Sequence, residues 1–168
     1  MKGKGRLRTQ ERNGQDRHDA YWNQAHPKDN SYCKKCRAIY HNKHWSFNEK
    51  KLDALRQAPQ AQGVICPACQ KIADRFASGT VSLSGGFVRG HHEEILNLVK
   101  NEEKRAMGMN PLERIIAIAD RGARIEVTTT HEKLAQRIGK SLHRAFSGTV
   151  DYRWSRGEKM ARVNWSRD

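Results

Sequence analysis

The chain has no GxSxG motif, no HExxH motif and no Gly-rich phosphate loop, so the common serine-hydrolase, zincin and nucleotide-phosphate chemistries lack their carriers. The nearest Gly-rich stretch, Ser82-Leu83-Ser84-Gly85-Gly86, has neither the P-loop spacing nor its lysine. Glu93 and Glu94 are adjacent on a helical segment, point to different faces and cannot act as a facing acid/base pair. Long apolar runs are missing too. The longest aliphatic run, Ile115-Ile116-Ala117-Ile118-Ala119, falls far short of the ~20 residues of a membrane helix. No apolar leader follows Met1. The expectation is therefore a cytoplasmic, non-enzymatic protein with no membrane partner and no small-molecule substrate.

Cysteine is scarce, and its placement carries the strongest signal. All four cysteines fall in two CxxC pairs, Cys33-Lys34-Lys35-Cys36 and Cys66-Pro67-Ala68-Cys69. A CxxC turn sets two sulfurs at the separation a tetrahedral ion with Zn–S near ~2.3 Å requires. Two pairs with nothing left over predict one structural Zn2+ held by Cys33, Cys36, Cys66 and Cys69. Four thiolates fill the coordination sphere and leave no position for a reactive water. Two disulfides would need an oxidising compartment. A mixed set of two cysteines and two histidines, Cys33, Cys36, His41 and His44, would strand the second pair. The loop between the pairs exceeds the about 15–20 residues of a usual zinc ribbon, so a small subdomain must lie between the knuckles.

Acidic residues are the minority: 18 against 32 Lys and Arg, a formal net charge of +14. Residues 1–71 hold 15 basic and 6 acidic side chains, net +9; residues 72–168 hold 17 and 12, net +5. A surplus concentrated around the metal pairs and the stretch before them points to a polyanion, foremost nucleic acid.

Hydrophobic content of 36% allows modest cores rather than one large one. Residues 1–31 lack apolar periodicity and read as a basic, disordered tail, from which Tyr21 and Trp22 would dock onto the metal module. Residues 32–78 form a four-cysteine zinc-ribbon or knuckle module with a hairpin at 38–47, a short helix at 49–58, and a helix after Cys69 packing Ile72, Ala73 and Phe76 on the site. Residues 79–111 read as a connector, Gly-punctuated and then helical from about His91 to Ala106. Residues 112–168 alternate as ββαββ: strands at 113–120, 124–128, 149–154 and 159–165, and a helix opened by a Thr129…Glu132 capping box. The fold class is α+β, with an antiparallel sheet covered by one helix.

Three groups of residues are candidates for RNA contact. Lys2, Lys4, Arg6 and Arg8 form an extended basic run. Around the first knuckle, Lys34, Lys35, Arg37, Tyr40, His41, Lys43, His44 and Trp45 interleave cations with aromatics, a mixture suited to single-stranded or looped RNA. Alternatively Tyr40 or Trp45 simply covers the metal site. On the last helix Lys133, Arg137, Lys140 and Arg144 form a basic stripe, equally readable as a solvated face.

Several stretches also carry a resemblance: Arg17-His18-Asp19, Ala38-Ile39-Tyr40-His41 before Trp45, the run Ile65-Cys66-Pro67-Ala68-Cys69-Gln70-Lys71-Ile72-Ala73-Asp74-Arg75, Glu94 to Val99, Val127 to Thr130 and Leu134 to Gly139. Through them the chain resembles a small bacterial family of zinc-binding proteins, which looks like a reduced form of the archaeal and eukaryotic export adaptor of the large ribosomal subunit. The first knuckle departs from that pattern, reading Cys-Lys-Lys-Cys where relatives tend to have Cys-Pro-x-Cys. The resemblance implies a ribosome-associated, rRNA-binding factor in translation, hibernation or subunit assembly, with ribosomal proteins as further partners. The rival classes are a zinc-containing DNA-binding regulator, for which no helix-turn-helix or C2H2 finger is visible, and a protein–protein adaptor.

Overall fold

In a computed structural model, which describes residues 21, 26–155, 157 and 159–168, the chain is α+β with two small sheets and five helices among the described residues. The first sheet has the strand order β3-β2-β1-β4, from β1 (Ser31–Cys33), β2 (Ile39–His41), β3 (His44–Ser46) and β4 (Gln62–Val64). β2 and β3 form the expected hairpin, with His41 opposite His44. Asn42 (φ 50°) and Lys43 (φ 63°) are both left-handed, as a two-residue type I′ loop demands. Helix α1 (Glu49–Gln57), capped by the Asn48 side chain, buries Leu52 and leads into β4, which pairs parallel to β1. Asp29 and Asn30 already belong to this module. The Asn42 N–H donates to Asp29 Oδ1, so order begins before residue 31.

Helix α2 (Pro67–Asp74) grows directly from the second knuckle, with Cys66 as N-cap and Pro67 in the first turn, where its fixed φ and missing N–H are favourable. Its buried residues are Pro67, Ala68, Cys69 and Lys71. Ala73 and Phe76 are exposed instead, a correction to the expected face. Phe76 meets Tyr21, ring centroids 5.3 Å apart, and the Tyr21 hydroxyl donates to Asp74 Oδ2. Tyr21 therefore docks as expected; Trp22 lies outside the described residues.

The second sheet corrects the sequence reading at its centre. Its order is β6-β7-β5-β9-β8, from β5 (Gly79–Ser84), β6 (Ile115–Asp120), β7 (Arg124–Thr129), β8 (Thr149–Trp154) and β9 (Ala161–Ser166). Residues 79–84, expected in the connector, are thus the middle strand. β5 pairs antiparallel to β7 and parallel to β9, so the sheet is mixed rather than purely antiparallel. Val81 and Leu83 point into the core, while Thr80, Ser82 and Ser84 take the other face. Helices α3 (Gly86–Gly90), α4 (His92–Met109) and α5 (Glu132–Phe146) complete this part. α5 lies on β5, β7, β8 and β9, with α4 alongside it. Val88, Ile95, Val99, Ile125, Leu134, Ile138, Leu142 and Trp165 share one core, so the expected connector and ββαββ unit are one body. Each large side chain so buried contributes about 1.5–3 kcal/mol.

Two smaller features have local causes. Glu102 and Glu103 on α4 are both engaged: Glu102 accepts from Arg105 at 2.8 Å, and Glu103 Oε1 accepts the Ile115 N–H at 2.7 Å. The expected capping box does not form. Thr129 Oγ1 donates to the His131 carbonyl, and His131 itself is the N-cap, its Nδ1 accepting the Lys133 N–H at 3.2 Å.

Candidate metal centre

The two knuckles approach because β1 ends at Cys33 and the parallel β4 delivers Ile65 and Cys66 beside it. The Lys34 N–H donates to the Val64 carbonyl at 2.9 Å, and the Cys66 N–H to Cys33 Sγ at 3.3 Å. Within the second knuckle the Cys69 N–H donates to Cys66 Sγ at 3.4 Å. The sulfurs of Cys33, Cys36, Cys66 and Cys69 all lie within 4.8 Å of one another. No disulfide joins them, and Cys36 Sγ and Cys66 Sγ stand 3.6 Å apart. A tetrahedral ion with sulfurs at ~2.3 Å has edges of about 3.8 Å, so the cluster can hold a single metal ion. The alternative set of two cysteines and two histidines is not formed: His41 Nδ1 lies 3.1 Å from Asn30 Oδ1 and His44 is exposed.

Four thiols packed together share protons unevenly. Hydrogen bonds, from Cys36 first and then Cys66 and Cys69, hold the Cys33 thiol far below its usual range. Cys36, pushed up by Cys33 but pulled down by Cys66 and Cys69, is lowered to about 7. Cys66 and Cys69 are pushed far up, mainly by Cys33 and Cys36. A buried patch tolerates few negative charges of its own; a bound dication removes that limit and deprotonates coordinating thiols.

The surroundings are apolar on one side and cationic on the other. Ala38, Tyr40, Trp45 and Ala68 pack with the cysteines, joined by Val64, Ile65 and Leu112. Tyr40 and Trp45, both buried, meet with ring centroids 5.3 Å apart. The expectation that they stack on bases is thereby corrected: the module has so little other core that both are needed to cover the sulfurs. Leu112 and Arg114 come from the second body, and Arg114 Nη1 donates to Cys69 Sγ at 3.9 Å. Lys71 Nζ spans the same junction, donating to Ser78 Oγ at 3.1 Å and to the Thr130 carbonyl at 3.3 Å.

Lys34, Lys35, Arg37, Lys43 and His44 are exposed around the first knuckle and hairpin, while His41 is half-buried. Lys133, Lys140 and Arg144 are exposed on α5. Arg137 is not an open cation, because its Nε lies 3.5 Å from buried Glu113 Oε2, whose charge it balances. Lys2, Lys4, Arg6 and Arg8 lie outside the described residues. The sequence reading missed Arg114, whose approach to Cys69 depends on docking across 45 positions and leaves no local pattern. It also missed what holds the exposed cations. Arg37 (φ 68°), Lys43 (φ 63°) and Arg75 (φ 53°) are all left-handed, a conformation costing ordinary L-residues roughly 1–2 kcal/mol.

No helix among the described residues is long and apolar enough to cross a membrane. Comparison with protein-family models, with curated proteins and with solved structures finds no match to this chain.

Proposed function

We propose that the protein is a non-catalytic RNA-binding factor that docks on ribosomal RNA in the cytoplasm and keeps its first module folded around one structural zinc ion. Cys33, Cys36, Cys66 and Cys69 supply the four thiolates, and the all-sulfur donor set favours zinc among abundant divalent ions. The observation that carries the reading is the placement of Arg37, Lys43 and Arg75. Each is exposed in a left-handed turn where glycine sits without strain. Of the six non-glycine residues at positive φ among the described residues, three are these cations and the others are Asn30, Asn42 and Ser147; all three cations lie within residues 32–78. The formal charge of +14, heaviest around this module, supports an anionic partner of large size. The family resemblance of the knuckle and helix stretches supports the ribosome as that partner.

Sedimentation of a cell lysate through a sucrose gradient, at low and at high salt, tests the reading. Co-migration with a ribosomal particle that weakens at high salt is expected. Recovery only at the top of the gradient, in growing and starved cells alike, overturns it in favour of a DNA-binding regulator or a protein adaptor.

A further inference from the structure

With Tyr40 and Trp45 buried, base stacking on this protein needs other aromatics. The second body supplies two. Tyr152 and Trp154 are 36% and 55% exposed, on the outermost strand of the sheet. Two residues apart on one strand, they stand side by side on the same face, about 6.6 Å apart along it. That face is the helix-bearing one, since Tyr152 is in register with buried Val163 and Trp154 with buried Ala161. Tyr152 is held in place by a missing side chain: a Cβ on Gly139 of α5 would lie 3.2 Å from its hydroxyl oxygen and 3.3 Å from its ring. The exposed Lys140 is the next residue of that helix.

The opposite face of the same edge carries charge. Arg153 stands directly opposite Arg162 on β9, both exposed. Like charges facing across an antiparallel pair are destabilising, and Asp151, 2.8 Å from Arg153 Nε, offsets only part of that repulsion. An anion between the two guanidiniums turns the repulsion into attraction. The outward peptide groups of β8 complete a strip with π-faces on one flank, cations on the other and hydrogen-bonding groups between them.

We infer that the β8–β9 edge seats single-stranded nucleic acid, with bases stacked on Trp154 and Tyr152 and phosphates held by Arg153 and Arg162. This rests on the RNA-binding reading above and moves its base-contacting part from the metal module to the second body. Rigid stacking platforms beside paired cations are the general means of binding unpaired strands, whereas a duplex hides its base faces.

The test uses the full-length zinc-loaded protein and a fluorescent 12-nucleotide oligouridine, with a 12-base-pair RNA duplex as competitor, read by anisotropy. Wild type prefers the single strand. Trp154→Ala weakens it by roughly 5- to 150-fold, the range of one lost stacking contact, and Trp154→Phe restores most of the loss. Arg153→Gln with Arg162→Gln lowers the log–log salt slope by about 1.4. Trp154 is more than half exposed, so its variants keep the fold, and near-ultraviolet dichroism from buried Trp45 and Trp165 checks this. If wild type binds and Trp154→Ala binds equally, this inference falls while the RNA-binding reading stands. A wild type that binds neither probe overturns both. A concentration-dependent dimer abolished by Trp154→Ala, with RNA affinity unchanged, assigns the edge to a second copy of the chain and overturns the inference.

Discussion

Replacing Arg114 by Met should weaken zinc binding without unfolding the second body. Arg114 Nη1 lies 3.9 Å from Cys69 Sγ. Two unit charges at about 4 Å interact by ~4 kcal/mol at an effective dielectric constant of 20. A zinc centre with four thiolates, of net charge −2, shares that charge over four sulfurs, so each carries about half a unit and the attraction comes to roughly 2 kcal/mol. That corresponds to about a 30-fold loss of zinc affinity in Arg114→Met, inside the 10- to 100-fold range of groups that contact metal ligands. The backbone of residue 114 is held independently, its N–H donating to Thr130 Oγ1 at 2.9 Å and its carbonyl accepting the Thr130 N–H at 2.8 Å. The substitution also removes Arg114 Nε, a buried donor with no hydrogen-bond partner, whose loss favours the second body. The two effects therefore have opposite signs. Competition with a chromophoric chelator measures the first, and thermal unfolding of zinc-free protein the second. Zinc affinity within threefold of wild type would mean that the guanidinium does not act on the cluster.

Three further outcomes follow from individual residues. Changing Arg37, Lys43 and Arg75 together to Gly relieves ~1–2 kcal/mol of left-handed strain per site against ~0.4–1 kcal/mol of added unfolded-chain entropy. Stability in urea should rise while the salt slope of RNA binding falls by about 2; a variant with unchanged slope removes these cations from the interface. Gly79→Ala places a Cβ 2.4 Å from Thr129 Oγ1 and 2.7 Å from the Ala135 Cβ, and should cost about 1–3 kcal/mol as overpacking between sheet and helix, read as a lowered Tm. His131 titrates low because burial disfavours its charge, against the opposing pull of Glu132 and Glu113 and alongside Lys133 and Lys71. A depressed histidine contributes stability that is full above its unfolded pKa of 6.5 and lost as pH falls through the folded value. Urea midpoints should therefore drop below about pH 6.5 in wild type, and the step should vanish in His131→Asn, which keeps an N-cap acceptor.

The four-cysteine cluster was legible because its chemistry is written locally: CxxC fixes two sulfurs per turn, and two pairs close one site that can hold a metal ion. The last helix was legible from Leu134, Ala135, Ile138 and Leu142, and strand β7 from the alternation of Ile125 and Val127 with polar residues. Strand β5 was not, and the reason is its exposed face. With helices on one side only, the strand needs just Val81 and Leu83 to be apolar, and Thr80, Ser82 and Ser84 read as loop beside Gly85 and Gly86. A middle strand with a parallel neighbour is more often apolar on both faces. Tyr40 and Trp45 were legible only as a choice between base stacking and covering the metal site, for a related reason. Their sequence neighbours are cations, yet alternation along β2 and β3 sends the rings inward, where the cysteines lie. Tyr152 and Trp154 also alternate toward the helix side, but at the edge of the sheet that side is open. Burial there is decided by strand order, which no single strand encodes.

The two bodies differ in what holds them, and this sets how metal and RNA are linked in the proposed function. Fourteen buried apolar residues form the core of the second body. Around the cysteines the corresponding buried side chains are few, with Ala38, Tyr40, Trp45 and Ala68 packed on the sulfurs and Ile39 and Leu52 under α1. A core of that size does not sustain a fold carrying three strained cations, and the binding free energy of a structural metal is in such cases folding free energy. In the proposed function, a metal ion at this site would act on RNA at a distance, by keeping the first module, with Lys34, Lys35, Arg37, Lys43 and Arg75, folded. Held by four thiolates, such an ion would have no position left for a base or phosphate. The β8 edge has no such dependence, since Gly139, Val163 and Ala161 belong to a body that stands on its own apolar core. On this reading, metal loss removes the electrostatic share of RNA affinity contributed by the first module and spares the stacking share on the second.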